Sequence, residues 1–183
     1  KAVSEVVQLQ PGQRLVDKNP LTMLRLPLLV RLFPNAKIIF VVRHPCDVVL
    51  SNYMQHFNAP AYVALCSSLP RLAAGYAAAM RFWHAHVALL KPQVLEWNYE
   101  DAIADFAGNV ARLGAFLELD DVAPLHDFSE HARRKGYIGP PSYAQVVQPV
   151  YSGSINRWHR YREYFEPVLP ILAPAMQHWG YAA

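Results

Sequence analysis

Residues 14–57 read RLVDKNPLTMLRLPLLVRLFPNAKIIFVVRHPCDVVLSNYMQHF, with a nearly unbroken apolar run at residues 37–43. A run of Ile, Phe and Val without polar alternation is typical of a parallel strand that is buried on both faces. Arg43 ends the run, and His44 and Pro45 turn the chain. Pro45 suits a first helical position, where no backbone donor is needed. The pattern predicts a buried strand followed directly by a helix, with Arg43 at the strand's carboxyl end.

A shorter unit of the same form precedes this strand. Residues 15–18 are predicted to be a brief strand ending at Lys18, which Asn19-Pro20 stops, and residues 22–33 are predicted to be a helix. In open parallel sheets, ligands bind at the carboxyl ends of the strands. If the two strands are neighbours, we expect Lys18 and Arg43 to face one crevice.

These residue types suit an anion. A guanidinium at a strand end, a hydroxyl in the next helix and the positive end of that helix together form a phosphate site. Ser51 lies eight residues after Arg43, and Lys18 could reach a second anionic group and stabilise charge on a leaving oxygen. Spacing alone leaves a structural alternative open, in which Arg43 pairs with Asp47 or Asp17 and ties the strand to the helix.

Composition favours one α/β domain over residues 1–183, since 53% of the 183 residues are hydrophobic and 17% are charged. The net charge of +3 is too small to argue for nucleic acid. Cys46 and Cys66 provide no disulfide framework, so a reducing, cytoplasmic location is expected. The helix start at Cys46 favours a lowered thiol pKa. We expect no membrane span, no signal peptide and no histidine-based metal site.

The remaining chain alternates helical and strand signals. Ser154 is a candidate cap for the segment that follows it, and residues 128–153 form a long Gly/Pro-containing connection. The other predicted elements are a helix over residues 61–91 with a possible break near Pro70, a strand at 93–97, a helix at 104–117 opened by residues 99–101, and a last helix ending near Gly180.

The runs DKNP (17–20) and RLFPNAKIIFVVRHPCDVVLS (31–51) resemble the sulfotransferases, most closely the tyrosylprotein and bacterial TPR-linked branch. In that family an Arg and a Ser bind the 3′-phosphate of 3′-phosphoadenosine 5′-phosphosulfate (PAPS). The resemblance implies this role for Arg43 and Ser51. The family's Lys-x-Pro motif supplies a catalytic lysine at the bridging or leaving oxygen, which falls on Lys18.

Weaker matches follow in the family's order. Residues 97–101 (WNYED) resemble the strand end that carries the family's Tyr-Glu pair, which implies that Tyr99 lies near the adenine. Residues 142–150 resemble the loop that closes on the nucleotide, with Ser142 at the sulfate-bearing end. Arg157 falls where the family often has a lysine before tryptophan.

The resemblance implies a three-layer α/β fold, in which helices flank a parallel sheet in a P-loop NTPase-like arrangement that is incomplete at the N-terminus. The implied reaction is in-line transfer of a sulfuryl group from PAPS to a hydroxyl or amine of a peptide or small molecule. Positioning and charge stabilisation would carry this reaction, as for phosphoryl groups. The product would be 3′-phosphoadenosine 5′-phosphate (PAP), and no motif requires a metal.

One family feature, a PxSGTT-type loop that holds the 5′-phosphosulfate, is absent from residues 1–183. We expect it before Lys1, and therefore expect this chain to be the C-terminal portion of the domain. Two alternatives stay open: a P-loop kinase-like phosphotransferase, which a Walker-type loop upstream would favour, and a non-catalytic nucleotide-binding or interaction module. The sequence indicates neither the acceptor nor the oligomeric state.

Overall fold

A computed structural model describes residues 12–128, residue 130 and residues 153–182. Its centre is a parallel pair of strands, β1 (Lys37–Val42) and β2 (Gln93–Asn98), which run in step from Lys37 opposite Gln93 to Val42 opposite Asn98. Both strands follow the sequence prediction closely. Helices flank this small sheet, so the fold is mixed α/β.

The helices begin where proline and short polar side chains favour a helix start. His44 caps α2 through its side chain, Ser68 caps α4, and Asp105 caps α6. The helices are α1 (Leu26–Leu32), α2 (Pro45–Tyr53), α3 (Pro60–Leu65), α4 (Leu69–Leu90), α5 (Tyr99–Ala104), α6 (Phe106–Leu117), α7 (Ala123–His126), α8 (Arg162–Phe165) and α9 (Leu169–His178).

The prediction of a break near Pro70 is confirmed, because Ser68 caps α4 just before that residue. The helix predicted at 104–117 is observed as α6, and the residues predicted to open it lie in a separate helix, α5, because Asp105 ends α5 and caps α6. The helix predicted at 22–33 begins as a 3-10 helix, Pro20–Arg25, and continues as α1. Most of the connection at 128–153, with Ser142, lies outside the described residues.

The prediction of a strand at residues 15–18 is wrong. This stretch is irregular, and Leu15 and Val16 are 50% and 84% exposed. A strand needs a neighbour for its backbone donors and acceptors, and β1 pairs only with β2 among the described residues. Asn19 instead accepts a hydrogen bond from the Leu21 N–H (3.0 Å) and caps the 3-10 helix.

Strand β1 is covered unequally on its two faces. Phe40 stacks on Trp83 of α4, with ring centroids 4.1 Å apart, and Val42 is buried. Ile39 and Val41, on the other face, are 40% and 63% exposed. The expectation that both faces are buried therefore fails for this part of the strand, because no described element covers these two side chains.

The hydrophobic core lies beside the sheet, between α2, α4 and the C-terminal helices. It is formed by buried side chains of α2 and α4 and of the chain from Trp158 onward, namely Cys46, Val49, Leu50, Leu72, Ala73, Trp158, Phe165, Val168, Leu172 and Met176. Helix α2, which follows Arg43, thus packs against the C-terminal part of the chain. In the described part, no helix is both long and apolar enough to cross a membrane.

The stacking of Trp83 against the sheet predicts a large, local stability effect. Trp83 is 1% exposed, and Trp83→Ala should lower the free energy of unfolding by about 3–5 kcal/mol through lost burial and cavity formation. Leu89→Ala on the same helix is the control: Leu89 is 74% exposed, so the change should stay within about 0.5 kcal/mol. Denaturant unfolding measures both, and equal losses would contradict the packing described.

Candidate functional site

The site begins where the two strands end. Because Val42 and Asn98 are paired in the parallel register, the residues that follow them, Arg43 and Tyr99, leave the sheet side by side. The Arg43 guanidinium carbon lies 5.0 Å from the Tyr99 ring centroid, a cation–π arrangement. This contact orients the guanidinium at the carboxyl edge of the sheet, next to the start of α2.

A segment from the far end of the chain completes this cluster. Residues 153–158, here called the return segment, bring the Ser154 carbonyl to Arg43 Nη2, which donates a hydrogen bond to it. The Ser154 hydroxyl lies 2.8 Å from the Tyr99 hydroxyl. The prediction that Ser154 caps a helix is wrong: Asn156, not Ser154, precedes the 3-10 helix Arg157–Tyr161.

The side chain of Asp47 anchors the return segment. Its Oδ2 accepts from the Asn156 N–H at 2.8 Å, and its Oδ1 accepts from the Trp158 N–H at 2.9 Å. Arg43 Nη2 is 3.9 Å from Asp47 Oδ2, at the outer limit of an ion pair. Asp47 therefore pairs mainly with backbone donors, and the structural alternative of an Arg43–Asp47 pair is present only as a long contact.

A buried donor of Arg43 has no partner among the described residues. Its Nε is buried and forms no hydrogen bond within the described residues, while the side chain as a whole is 20% exposed. A buried N–H without an acceptor is costly. The guanidinium is partly exposed at the start of α2, where charge-assisted donors and the positive helix end favour an anion, so the residues present fit a phosphate or sulfate group.

A second hydrogen-bonded group supports the turn after β1 from behind. The His44 N–H donates to Glu100 Oε1 (3.0 Å), and the Tyr181 hydroxyl donates to Glu100 Oε2 (2.7 Å). His44 Nδ1 accepts from the Cys46 N–H (3.2 Å), so the ring proton lies on Nε2, which donates to the Ala182 carbonyl (3.2 Å). The C-terminal residues thus hold the turn that carries Arg43.

Burial shifts the pKa values of His44 and Cys46, which lie at this turn, toward their neutral forms. Burial lowers the pKa of His44, although the Ala182 carbonyl and the charges of Asp47 and Glu100 act against the shift. Burial, with the Asp47 charge, raises the pKa of the Cys46 thiol to about 12. The expectation of a lowered Cys46 pKa is wrong, because burial outweighs the helix start and the nearest charge is negative.

The other predicted site residues differ in their placement. Ser51 is exposed on α2, one turn after Asp47 and one turn before Met54, so the three share one helix face. Arg157 is exposed, and its Nη2 lies 3.6 Å from Met54 Sδ. Ser51 therefore lies on the face of α2 that Arg157 contacts through Met54.

Lys18 stands apart from this group. It is exposed in the irregular stretch before the 3-10 helix and forms no ion pair or hydrogen bond with another residue of the described part. Ser142 is outside the described residues. The structure thus brings Arg43 and Tyr99 into contact and puts Ser51 and Arg157 on one side of α2, while no hydrogen bond or ion pair among the described residues joins Lys18 to them.

Comparison with known proteins identifies the family. The model of the sulfotransferase family matches residues 2–124, which is more than half of the chain and includes β1, α2, β2 and α5. The chain belongs to the sulfotransferase family. A relative described as an uncharacterized protein of Aquifex aeolicus (strain VF5) is 30% identical over 164 residues. That alignment covers 87% of this sulfotransferase chain and 21% of the relative, so the chain spans about a fifth of that protein.

Three residues of the candidate site were not predicted as site residues. Asp47 was considered only as a partner of Arg43, while its main partners lie 109 and 111 residues away. His44 was treated only as part of a turn, and Ser154 only as a helix cap. For Asp47 a local signal exists, because it lies in the first turn of α2, four residues after Arg43. The return segment carries no comparable local signal.

The lowered pKa of His44 predicts a loss of stability in acid. In the unfolded chain histidine protonates near its ordinary pKa of 6.5, above the pKa in the folded state, so the unfolded state binds more protons there. Stability should therefore fall as pH drops below about 6.5. His84, whose pKa is also lowered by burial, contributes in the same direction.

The variant His44→Asn keeps a helix cap but does not titrate. It should be less stable than the wild type at neutral pH, because the Ala182 bond and the ring stacking on Trp158 are lost, yet lose less stability between about pH 7.5 and 5.5. Denaturant midpoints at the two pH values measure this. His56→Asn, at an exposed ring, is the control. An unchanged pH dependence in His44→Asn would refute the assignment.

Proposed function

We propose that this chain provides the 3′-phosphate side of a PAPS site in an enzyme that transfers a sulfuryl group to a hydroxyl or amine. The observation that carries the proposal is the partly exposed Arg43 guanidinium at the carboxyl edge of the sheet, which Tyr99 orients. An anion beside the first turn of α2 also gains from the positive helix end. Membership of the sulfotransferase family supports the reaction class.

In this proposal Arg43, Ser51 and Arg157 bind the 3′-phosphate. Arg43 supplies charge-assisted donors, Ser51 a hydroxyl from the next turns of α2, and Arg157 a second cation at the end of the return segment. When bound, the nucleotide supplies the activated sulfuryl group. The role of the chain's own residues is to orient the nucleotide, so that the acceptor and the leaving oxygen lie in line.

Tyr99 and Ser142 complete the proposed nucleotide site. Tyr99 already contacts Arg43 and Ser154, so its ring can meet the adenine only on the side that faces away from the guanidinium. Ser142 is proposed to contact the sulfate-bearing end. Lys18 is proposed as the catalytic cation that stabilises charge on the leaving phosphate; its side chain is exposed and pairs with no other described residue, so it is available for that role.

We also infer the finer family placement. The three-layer, P-loop NTPase-like architecture and the tyrosylprotein and bacterial TPR-linked branch are supported by the motif order in the sequence. The exposed Ile39 and Val41 on β1 suit a sheet with more covering than the described residues provide. The acceptor, a peptide or a small molecule, would be chosen by parts of the enzyme beyond the cluster described.

Binding of PAP and AMP tests the phosphate assignment, because the two nucleotides differ only in the 3′-phosphate. Wild-type protein should bind PAP more tightly in calorimetry. Arg43→Ala should lower the affinity for PAP more than about tenfold, since a hydrogen bond to a charged group contributes about 1.5–3 kcal/mol. Arg81→Ala, at an exposed arginine of α4, is the control and should leave both affinities unchanged. Equal wild-type affinity for PAP and AMP would overturn the proposal.

Turnover by the full-length natural protein tests Lys18. Lys18→Ala should leave PAP affinity within about threefold but lower kcat about a hundredfold or more, as expected when one charge that stabilises a transition state is lost. Lys18→Arg should restore activity only in part, because a guanidinium cannot place a point charge on one oxygen. A Lys18→Ala enzyme with wild-type kcat would remove the catalytic assignment and favour a binding module.

A further inference from the structure

The Asp47 carboxylate is the most completely buried charged group beside the proposed phosphate site. Its side chain is 0% exposed, and each oxygen accepts one backbone N–H of the return segment, from Asn156 and from Trp158. Both bonds are charge-assisted, which makes them shorter and stronger than neutral ones. They join α2 to a segment more than a hundred residues later in the chain.

This bridge determines where the return segment meets the site. Ser154, two residues before Asn156, places its carbonyl on Arg43 and its hydroxyl on Tyr99. Arg157 lies between the two anchored N–H groups in sequence and reaches Met54 on α2. The return segment, which Asp47 holds, therefore supplies two groups to the proposed phosphate site. Ser154 orients Arg43, and Arg157 is a second cation.

The backbone at Asn156 is specialised for this contact. Asn156 has φ 56°, in the left-handed region, where asparagine and glycine are tolerated and other residues are disfavoured. The left-handed turn lets the N–H groups of Asn156 and Trp158 point at one carboxylate. The contact thus depends on the Asp47 side chain and on the conformation of one residue.

We propose that Asp47 is a positioning residue for recognition of the nucleotide's 3′-phosphate: by holding the return segment, it fixes Arg157 and the orientation of Arg43. This inference rests on the proposed function. It predicts that disturbing the bridge weakens binding of the 3′-phosphate selectively and leaves the rest of the nucleotide's binding largely intact.

Asp47→Asn tests the proposal in the full-length protein. The amide keeps one acceptor oxygen, but its NH₂ group faces the second backbone N–H, so one end of the bridge is lost. By calorimetry, the ratio of PAP affinity to AMP affinity should fall about tenfold, while AMP affinity changes less than about threefold. In an Arg157→Ala background the same substitution should have a smaller effect, because the two changes act through one element.

Substitutions at Asn156 test the same bridge without changing a buried charge. Asn156→Gly is the conservative variant, since glycine adopts the left-handed conformation freely, and it should keep the selectivity for PAP. Asn156→Ala, which disfavours that conformation, should lower the selectivity for PAP, as Asp47→Asn does. This pair gives a result even where Asp47→Asn does not fold.

The outcomes separate this inference from the function on which it rests. A wild type without preference for PAP overturns both. If the wild type prefers PAP and the variants Asp47→Asn and Asn156→Ala keep the full preference, only the proposed role of Asp47 is overturned. Equal weakening of PAP and AMP in these variants makes Asp47 a general structural residue and overturns the inference as well. Selective loss for PAP, retained by Asn156→Gly, supports it.

Discussion

The parallel pairing of β1 and β2 is the constraint on which the site depends. In-step pairing ends with Val42 beside Asn98, so the first residue after each strand emerges at the same edge. Arg43 and Tyr99 therefore meet without any long side-chain reach, although they are 56 positions apart in the chain. Each strand is followed at once by a helix, which leaves positive helix ends at the edge where an anion would bind.

The late part of the chain builds the rest of this edge. Asp47 binds two backbone donors of the return segment, and His44 stacks on Trp158 while its ring donates to the Ala182 carbonyl. Trp158 is also fully buried in the hydrophobic core. The groups that orient the candidate site are consequently part of the core packing, so site geometry and folding stability are linked through the same side chains.

Arg43 illustrates how structural and binding roles combine in one residue. Its contacts with Ser154 and Tyr99 tie the strand end to the return segment, which is a structural role. Its distance from Asp47 and the lack of an acceptor for Nε among the described residues leave part of the guanidinium's donor capacity unused there. A guanidinium that is held in place by these contacts while its side chain stays 20% exposed is pre-organised for an anion, because little side-chain freedom is lost on binding.

Local signals in the sequence were sufficient to predict both strands, β1 and β2, the helix start at Pro45 and the break before α4. Apolar runs, prolines and caps act on neighbouring residues, so they can be read locally. They failed at residues 15–18, where no described strand lies beside the apolar pair, and at Ile39, whose burial depends on what covers the sheet. The partners of Arg43 and Asp47 were decided by tertiary structure alone. Contacts across more than a hundred residues depend on the path of the whole chain, which no local pattern encodes.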